Sequence, residues 1–358
     1  MNTITNNNNQ MNNIYLECID SFFIPDIESI IISYYSDGNV GKCNDMASMP
    51  DDYTIYNFVR EVSNRNTRIL NTLVKKEYEF RNFIIDNVTE CGNLDVIKWL
   101  HENRTEGCTT DAMDWAARKG HLDVVKWLHE NRTEGCTVNA MDWAARDGHL
   151  NVVKWLHKNR TEGCTVSAMN WAAEYGHFEV VIWLHEIRTE GCNTGAMDWV
   201  SWSGNLNMLK WLHENRTEGC TVNAMDWAAR NGHLNVVQWL HANRNEGCTT
   251  NAMDEAAKGG HLDVVQWLHA NRNEGCTTWA MDEAASKGHI DVVQLLHNNR
   301  QEGCTVNAMD WAATNGHLEV VQWLHANRNE GCTDIAMFCA TRNRHLDVVK
   351  WFHDNHIE

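Results

Sequence analysis

The tripeptide Trp-Leu-His returns every 28 residues without a slip, at Trp99, Trp127, Trp155, Trp183, Trp211, Trp239 and Trp267. It continues at Leu295 in the Trp slot, at Trp323, and as Trp-Phe-His at Trp351. A fixed period of this size means a stack of small units, each burying its apolar face only against its neighbours. Such a stack lengthens without forming one large core, and it presents an extended surface rather than an enclosed pocket. The copies are close. Cys136 to Gly163 and Cys220 to Gly247 differ only as Asp147/Asn231, Lys154/Gln238, Lys158/Ala242 and Thr161/Asn245.

The unit reads as two helices. Asn139 with Asp142 three residues on has the form of a helix N-cap and an acidic third position, so a helix A is expected to start there. Ala140, Met141, Ala144 and Ala145 give it a small apolar face, and Gly148 is expected to end it in the left-handed conformation. Leu150, Val153 and Leu156, with Val152 and Trp155 beside them, fit a second amphipathic helix, B. Asn159 to Gly163 then forms a polar loop.

The unit resembles the ankyrin repeat. Gly-Cys-Thr-Val-Asn-Ala matches the family's Gly-Ala-Asp-Val-Asn-Ala, Ala-Met-Asp-Trp-Ala-Ala fills the slot of Thr-Pro-Leu-His-x-Ala-Ala, and Gly-His-Leu-Asn-Val-Val-Lys-Trp-Leu matches Gly-His-Leu-Glu-Val-Val-Lys-Leu-Leu. The likeness covers about residues 80–358. Two departures are present: about eight residues are missing between the first two segments and about three are added after helix B, giving 28 in place of the usual 33. The missing stretch is the family's β-hairpin finger. The resemblance therefore implies an all-α helical solenoid whose fingers are absent or reduced to a turn.

Around the array, residues 1–13 form an Asn-rich leader expected to be disordered, and 14–76 an expected small helical module. Phe23 to Tyr35 resembles the start of an F-box, and Val62 to Leu70 could be its later helix, without the Trp usual there. This second resemblance implies a substrate adaptor of a ubiquitin ligase; the other reading is a plain helical cap. Residues 80–107 are a worn capping repeat, with Ile84, Ile85, Asn87 and Val88 in the Ala-Met-Trp-Ala slots, and 108–358 hold nine copies.

With 30 Lys and Arg against 48 Asp and Glu, the net charge of −18 repels a phosphate backbone and argues against nucleic acid as a partner. The apolar stretch Ile24 to Tyr35 carries Asp26 and Glu28 and is too short for a membrane span, and the polar, Asn-rich residues ahead of it are not expected to act as a signal peptide. Nine of thirteen cysteines, Cys108 through Cys332, share one slot of successive copies. Equivalent atoms in stacked repeats are farther apart than the roughly 7 Å a disulfide allows. They read as reduced, buried and apolar, which points to a reducing compartment such as the cytosol. Sequons at Asn103, Asn131, Asn159 and Asn215 are then unused.

No Cys-x-x-Cys or His-x-x-x-His pair occurs within a copy, so no metal or other cofactor is expected. Near-interchangeable copies also leave no unique catalytic site. His121, His149 and their equivalents are expected to bond turn backbone, and His129 and His157 to suit the carbonyl end of helix B. Arg104, Arg132, Arg160, Arg188 and Arg216 run beside Glu106, Glu134, Glu162, Glu190 and Glu218 as exposed pairs that set register and solubility.

The candidate site lies on helix A. Trp115, Trp143, Trp171, Trp199, Trp227 and Trp311 fill one slot, which Glu255 and Glu283 take in two copies and Phe338 is read to take in the last. A slot that accepts Glu is expected to be partly exposed, serving either as a packing ladder or as a binding groove. The two positions after Ala-Ala vary most: Arg118-Lys119, Arg146-Asp147, Glu174-Tyr175, Trp202-Ser203, Arg230-Asn231, Lys258-Gly259, Ser286-Lys287, Thr314-Asn315 and Arg342-Asn343. The family resemblance places this pair on the concave, partner-binding surface. The sequence thus describes a non-catalytic scaffold, expected to be monomeric, that binds a protein partner.

Overall fold

A computed structural model describes residues 84–356 apart from 104 and 106, and the side chain of residue 84 is also left aside. These residues fall within one compact unit, Arg60–Glu358. The Asn-rich leader, the 14–76 module with its F-box-like segment, Arg104 and Glu106 lie outside the described residues.

Among the described residues there are twenty helices in ten pairs and no strand. The copy dissected above gives helix A over Asn139–Arg146 and helix B over Leu150–Asn159. The turn 160–165 that leads to the next helix A, Val166–Glu174, carries no hairpin. Helices A pack closely on the helices A of both adjoining copies, and each B lies against its own A. Small side chains permit that approach: Ala140, Ala144 and Ala145 are 0 to 1 % exposed, as are Val152, Val153 and Leu156 from helix B. Gly148 turns between the helices at φ +81°. A Cβ there would lie 2.5 Å from the His177 ring of the next copy, so the glycine answers both to backbone conformation and to a neighbour's side chain.

The start of helix A differs from expectation. Asn139 lies inside the helix, and its backbone N–H donates to Thr137 Oγ1 at 3.1 Å. The capping oxygen therefore belongs to the threonine two residues earlier. Asp142 does not reach back to its own helix start either. Its carboxylate is 3 % exposed and accepts from the backbone N–H of Thr165 at 2.8 Å and from Thr165 Oγ1 at 2.6 Å, one copy further on. The same clasp, always 23 residues long, joins Asp86 to Thr109, Asp114 to Thr137, Asp198 to Thr221, Asp226 to Thr249, Asp254 to Thr277, Asp282 to Thr305 and Asp310 to Thr333. Burial pushes the carboxyls of Asp114, Asp142 and Asp226 up, while the threonine bonds pull them down. In the last copy Phe338 proves to occupy this Asp slot, 65 % exposed, while Cys339 stands in the Trp slot.

The loops also join copies, and not as exposed ladders. Arg160 and Glu162 pair within one loop, Nε and Nη2 donating to the two carboxylate oxygens, with side chains 22 % and 23 % exposed. Arg160 Nη1 then donates to His129 Nδ1 of the preceding copy at 3.2 Å. That ring packs edge-on to Trp155 with centroids 5.3 Å apart. His129 thus accepts from an arginine instead of serving the carbonyls of helix B. Asn159 does that work, its Nδ2 donating to the Trp155 carbonyl at 2.8 Å, and Asn103, Asn131 and Asn215 act alike. The other histidine slot also bonds backbone, in that His121, His233 and His261 hydrogen-bond carbonyls at the C-terminal end of the preceding copy's helix A or just past it.

Every cysteine among the described residues is free, and the slot from Cys136 to Cys304 is buried. Burial pushes these thiols up, to about 12 at Cys136 and Cys276 and about 11 at Cys164 and Cys220. They are inert packing groups.

Candidate interaction surface on the helix A face

Trp115, Trp143, Trp171, Trp199, Trp227 and Trp311 are all half-buried, one per copy. Trp115 and Trp143 meet with centroids 5.5 Å apart at 48°, and the Arg118 guanidinium lies over both, 5.1 Å from the first and 5.8 Å from the second. Arg118 Nε also stands 3.5 Å from Asp147 Oδ2 of the next copy. Lys119 reaches back to Glu90 at 2.9 Å.

The two Glu that replace Trp each face a cation from the copy before. Glu255 lies 3.6 Å from Arg230 and Glu283 3.4 Å from Lys258. Lys258 also stands 5.2 Å over Trp279, whose indole N–H donates to Glu283 at 2.9 Å. Tolerance of Glu in this slot therefore reflects exposure together with a basic side chain one copy away.

The variable pairs prove to be linked across copies. The first position of one pair touches the second position of the next, 29 residues on. Arg118 meets Asp147, and Arg146 stacks 5.1 Å over the Tyr175 ring while donating to its hydroxyl at 3.4 Å. Asn231 Nδ2 donates to the Trp202 carbonyl at 2.9 Å, and Asn315 and Asn343 donate likewise to Ser286 and Thr314. These Asn close the end of the preceding helix A, so part of the variation is structural. Tyr175 at 51 % and Trp202 at 46 % exposure project beyond this framework. Glu174 is half-buried beside them, its carboxyl pushed up by burial against the pull of Arg146. Lys287 is exposed.

Sequence reasoning missed the Asp–Thr clasp. Its signal was present: the single copy with Asn170 in place of Asp also has Asn193 in place of Thr, 23 residues on. Among the described residues no cluster of His, Cys, Asp and Glu could hold a metal ion, and no helix is long and apolar enough to cross a membrane.

A ten-pair helical stack with Gly-His-Leu turns and an Ala-rich inner face defines an ankyrin-type solenoid. Family models agree. One described as ankyrin repeats (3 copies) matches residues 113–198, 141–226, 196–282 and 225–310, and one described as ankyrin repeats (many copies) matches 91–129 and 309–353. The chain belongs to the ankyrin repeat family, whose repeats are protein–protein interaction modules. No curated protein matches the chain.

Proposed function

We propose that the array is a non-catalytic scaffold that holds a protein partner against its helix A face, the surface the family uses as its concave side. The observation that carries this reading is the exposure of Tyr175 and Trp202 in adjacent copies, at variable positions; with Arg146 stacked over the Tyr175 ring, both side chains still stand about half exposed. Aromatic side chains of this kind are the usual anchors of an interface, and the half-buried Trp row adds apolar surface beside them. Buried free thiols fit a reducing compartment such as the cytosol.

Affinity capture from cell extract with the wild-type chain and with Tyr175→Ala/Trp202→Ala tests the reading. Both side chains are exposed, so the variant is expected to keep its helical circular dichroism and lose its specific partner. Retention of that partner by the folded variant overturns the groove. If an F-box-binding adaptor is captured as well and requires residues 14–76, the scaffold acts as a ligase substrate adaptor.

A further inference from the structure

The helix A face follows a rule with a gap in it. At each of four copy junctions a basic side chain from the first variable position is seated against an aromatic ring or a carboxylate of the next copy. Arg118 lies over Trp143, Arg146 over Tyr175, Arg230 near Glu255 and Lys258 near Glu283. At the two junctions in between, the basic residue is missing. Glu174 and Trp202 stand where Arg118 stands in the 28-residue register, while the receiving rings, Trp199 and Trp227, remain.

Resting on the groove reading above, we infer that Trp171 and Trp199, with Glu174 between them in register and Trp202 at the rim, seat the guanidinium of an arginine supplied by the partner protein. The chain's own Arg118 shows the chemistry of such a seat: two tryptophans of successive copies and one carboxylate around a planar cation. A guanidinium stacks on indole faces and is weakly hydrated, so it tolerates a half-buried position better than an ammonium does. Glu174 supplies the charge that Asp147 gives Arg118. Arg146, whose charge acts on Glu174, is engaged with Tyr175 and lies 3.8 Å from Asp147. The net charge of −18 draws a basic segment toward the whole surface; Trp202, Ser286 and Thr314 also leave their junctions without a basic residue at this position, and Glu174 alone among these four is acidic.

The test uses the full chain labelled with nitrogen-15 at tryptophan, with indole signals assigned through single Trp→Phe variants. Two Gly-Ser-rich peptides are titrated to millimolar concentration, one with three arginines and one with citrulline in their place. The arginine peptide is expected to shift the indole signals of Trp171, Trp199 and Trp202 first, the citrulline peptide to leave them in place, and Glu174→Gln to weaken binding roughly threefold to fivefold, as for a half-exposed ion pair. Equal shifts with citrulline, shifts spread evenly along the Trp row, or no shift at all overturn the arginine seat. Loss of the captured partner in Tyr175→Ala/Trp202→Ala alongside any of those results leaves the groove standing with a different ligand, so the two failures are distinguishable.

Discussion

Among the described residues, Asn170 and Asn193 form the one clasp that is built without a carboxylate. Asn170 Nδ2 donates to Asn193 Oδ1 at 2.8 Å, and the backbone N–H of Asn193 donates to Asn170 Oδ1 at 3.2 Å. Asn193 Oδ1 accepts in addition from the N–H of Gly195 at 2.9 Å, taking over the capping work done elsewhere by a threonine hydroxyl. A Cβ on residue 195 would lie 2.8 Å from that oxygen, which two hydrogen bonds hold in place. This copy therefore differs from the others at three linked positions: Asn for Asp, Asn for Thr, and Gly at the residue two further on.

Moving the set elsewhere separates its parts. Asp226→Asn alone should cost about 1 to 3 kcal/mol, because an amide then faces Thr249, whose N–H and Oγ1 both donate to the present carboxylate. Asp226→Asn/Thr249→Asn should recover little, since the Asn251 Cβ crowds the new oxygen. Adding Asn251→Gly should restore at least half of the loss. Urea unfolding of the four proteins gives the coupling, and additive effects would show that the three positions are independent.

The junction at Leu295 is a natural deletion of the outer tryptophan. There His269 Nδ1 and Arg300 Nε are buried without partners, whereas the other described loops with a Trp in that slot keep the arginine-to-histidine bond. Leu295→Trp should restore the edge-on ring contact and the Arg300 bond, stabilising the chain by about 0.5 to 1.5 kcal/mol. Calorimetry reads this as a higher Tm, and an unchanged Tm would mean that the ring does not position the histidine.

Burial holds His149, His233, His289 and His317 below the usual histidine range of 6.5. On lowering the pH, the unfolded chain takes up these protons first, so stability present above about 6.5 is lost as pH falls through that value toward the folded-state pKa. The buried Asp work the other way. Their raised pKa values let the folded chain bind protons first, so they favour folding as pH drops toward 3.8. Tm should therefore fall between pH 7 and 6, and replacing the four histidines by Gln should flatten that limb of the profile.

Iodoacetamide at pH 8 should leave Cys136, Cys164, Cys220 and Cys276 unmodified in the folded chain, because burial both covers these thiols and raises their pKa to about 11 or 12. Mass spectrometry before and after urea checks this. Rapid labelling of the native slot would refute the packing role.

How much of this was legible in the sequence follows from the range of each interaction. The 28-residue period, the Ala-Met-x-x-Ala-Ala face and the Gly-His-Leu turn are local patterns, and they determined the helices, the turn between them and the stack, though not the cap of helix A, because helix periodicity and glycine conformation act over a few residues. The loss of the finger could be counted directly. Asp142, by contrast, looked like a capping residue of its own helix because an acidic third position has that local meaning; only stacking brought Thr165 to it. The same holds for His129, which looked like a carbonyl partner until the next copy placed Arg160 against its ring. Contacts 23, 29 or 31 residues apart exist only because neighbouring copies lie side by side. The tertiary structure therefore decided which variable residues join copies, as Asn231, Arg118 and Tyr175 do, and which of them, Tyr175 and Trp202, also present exposed rings.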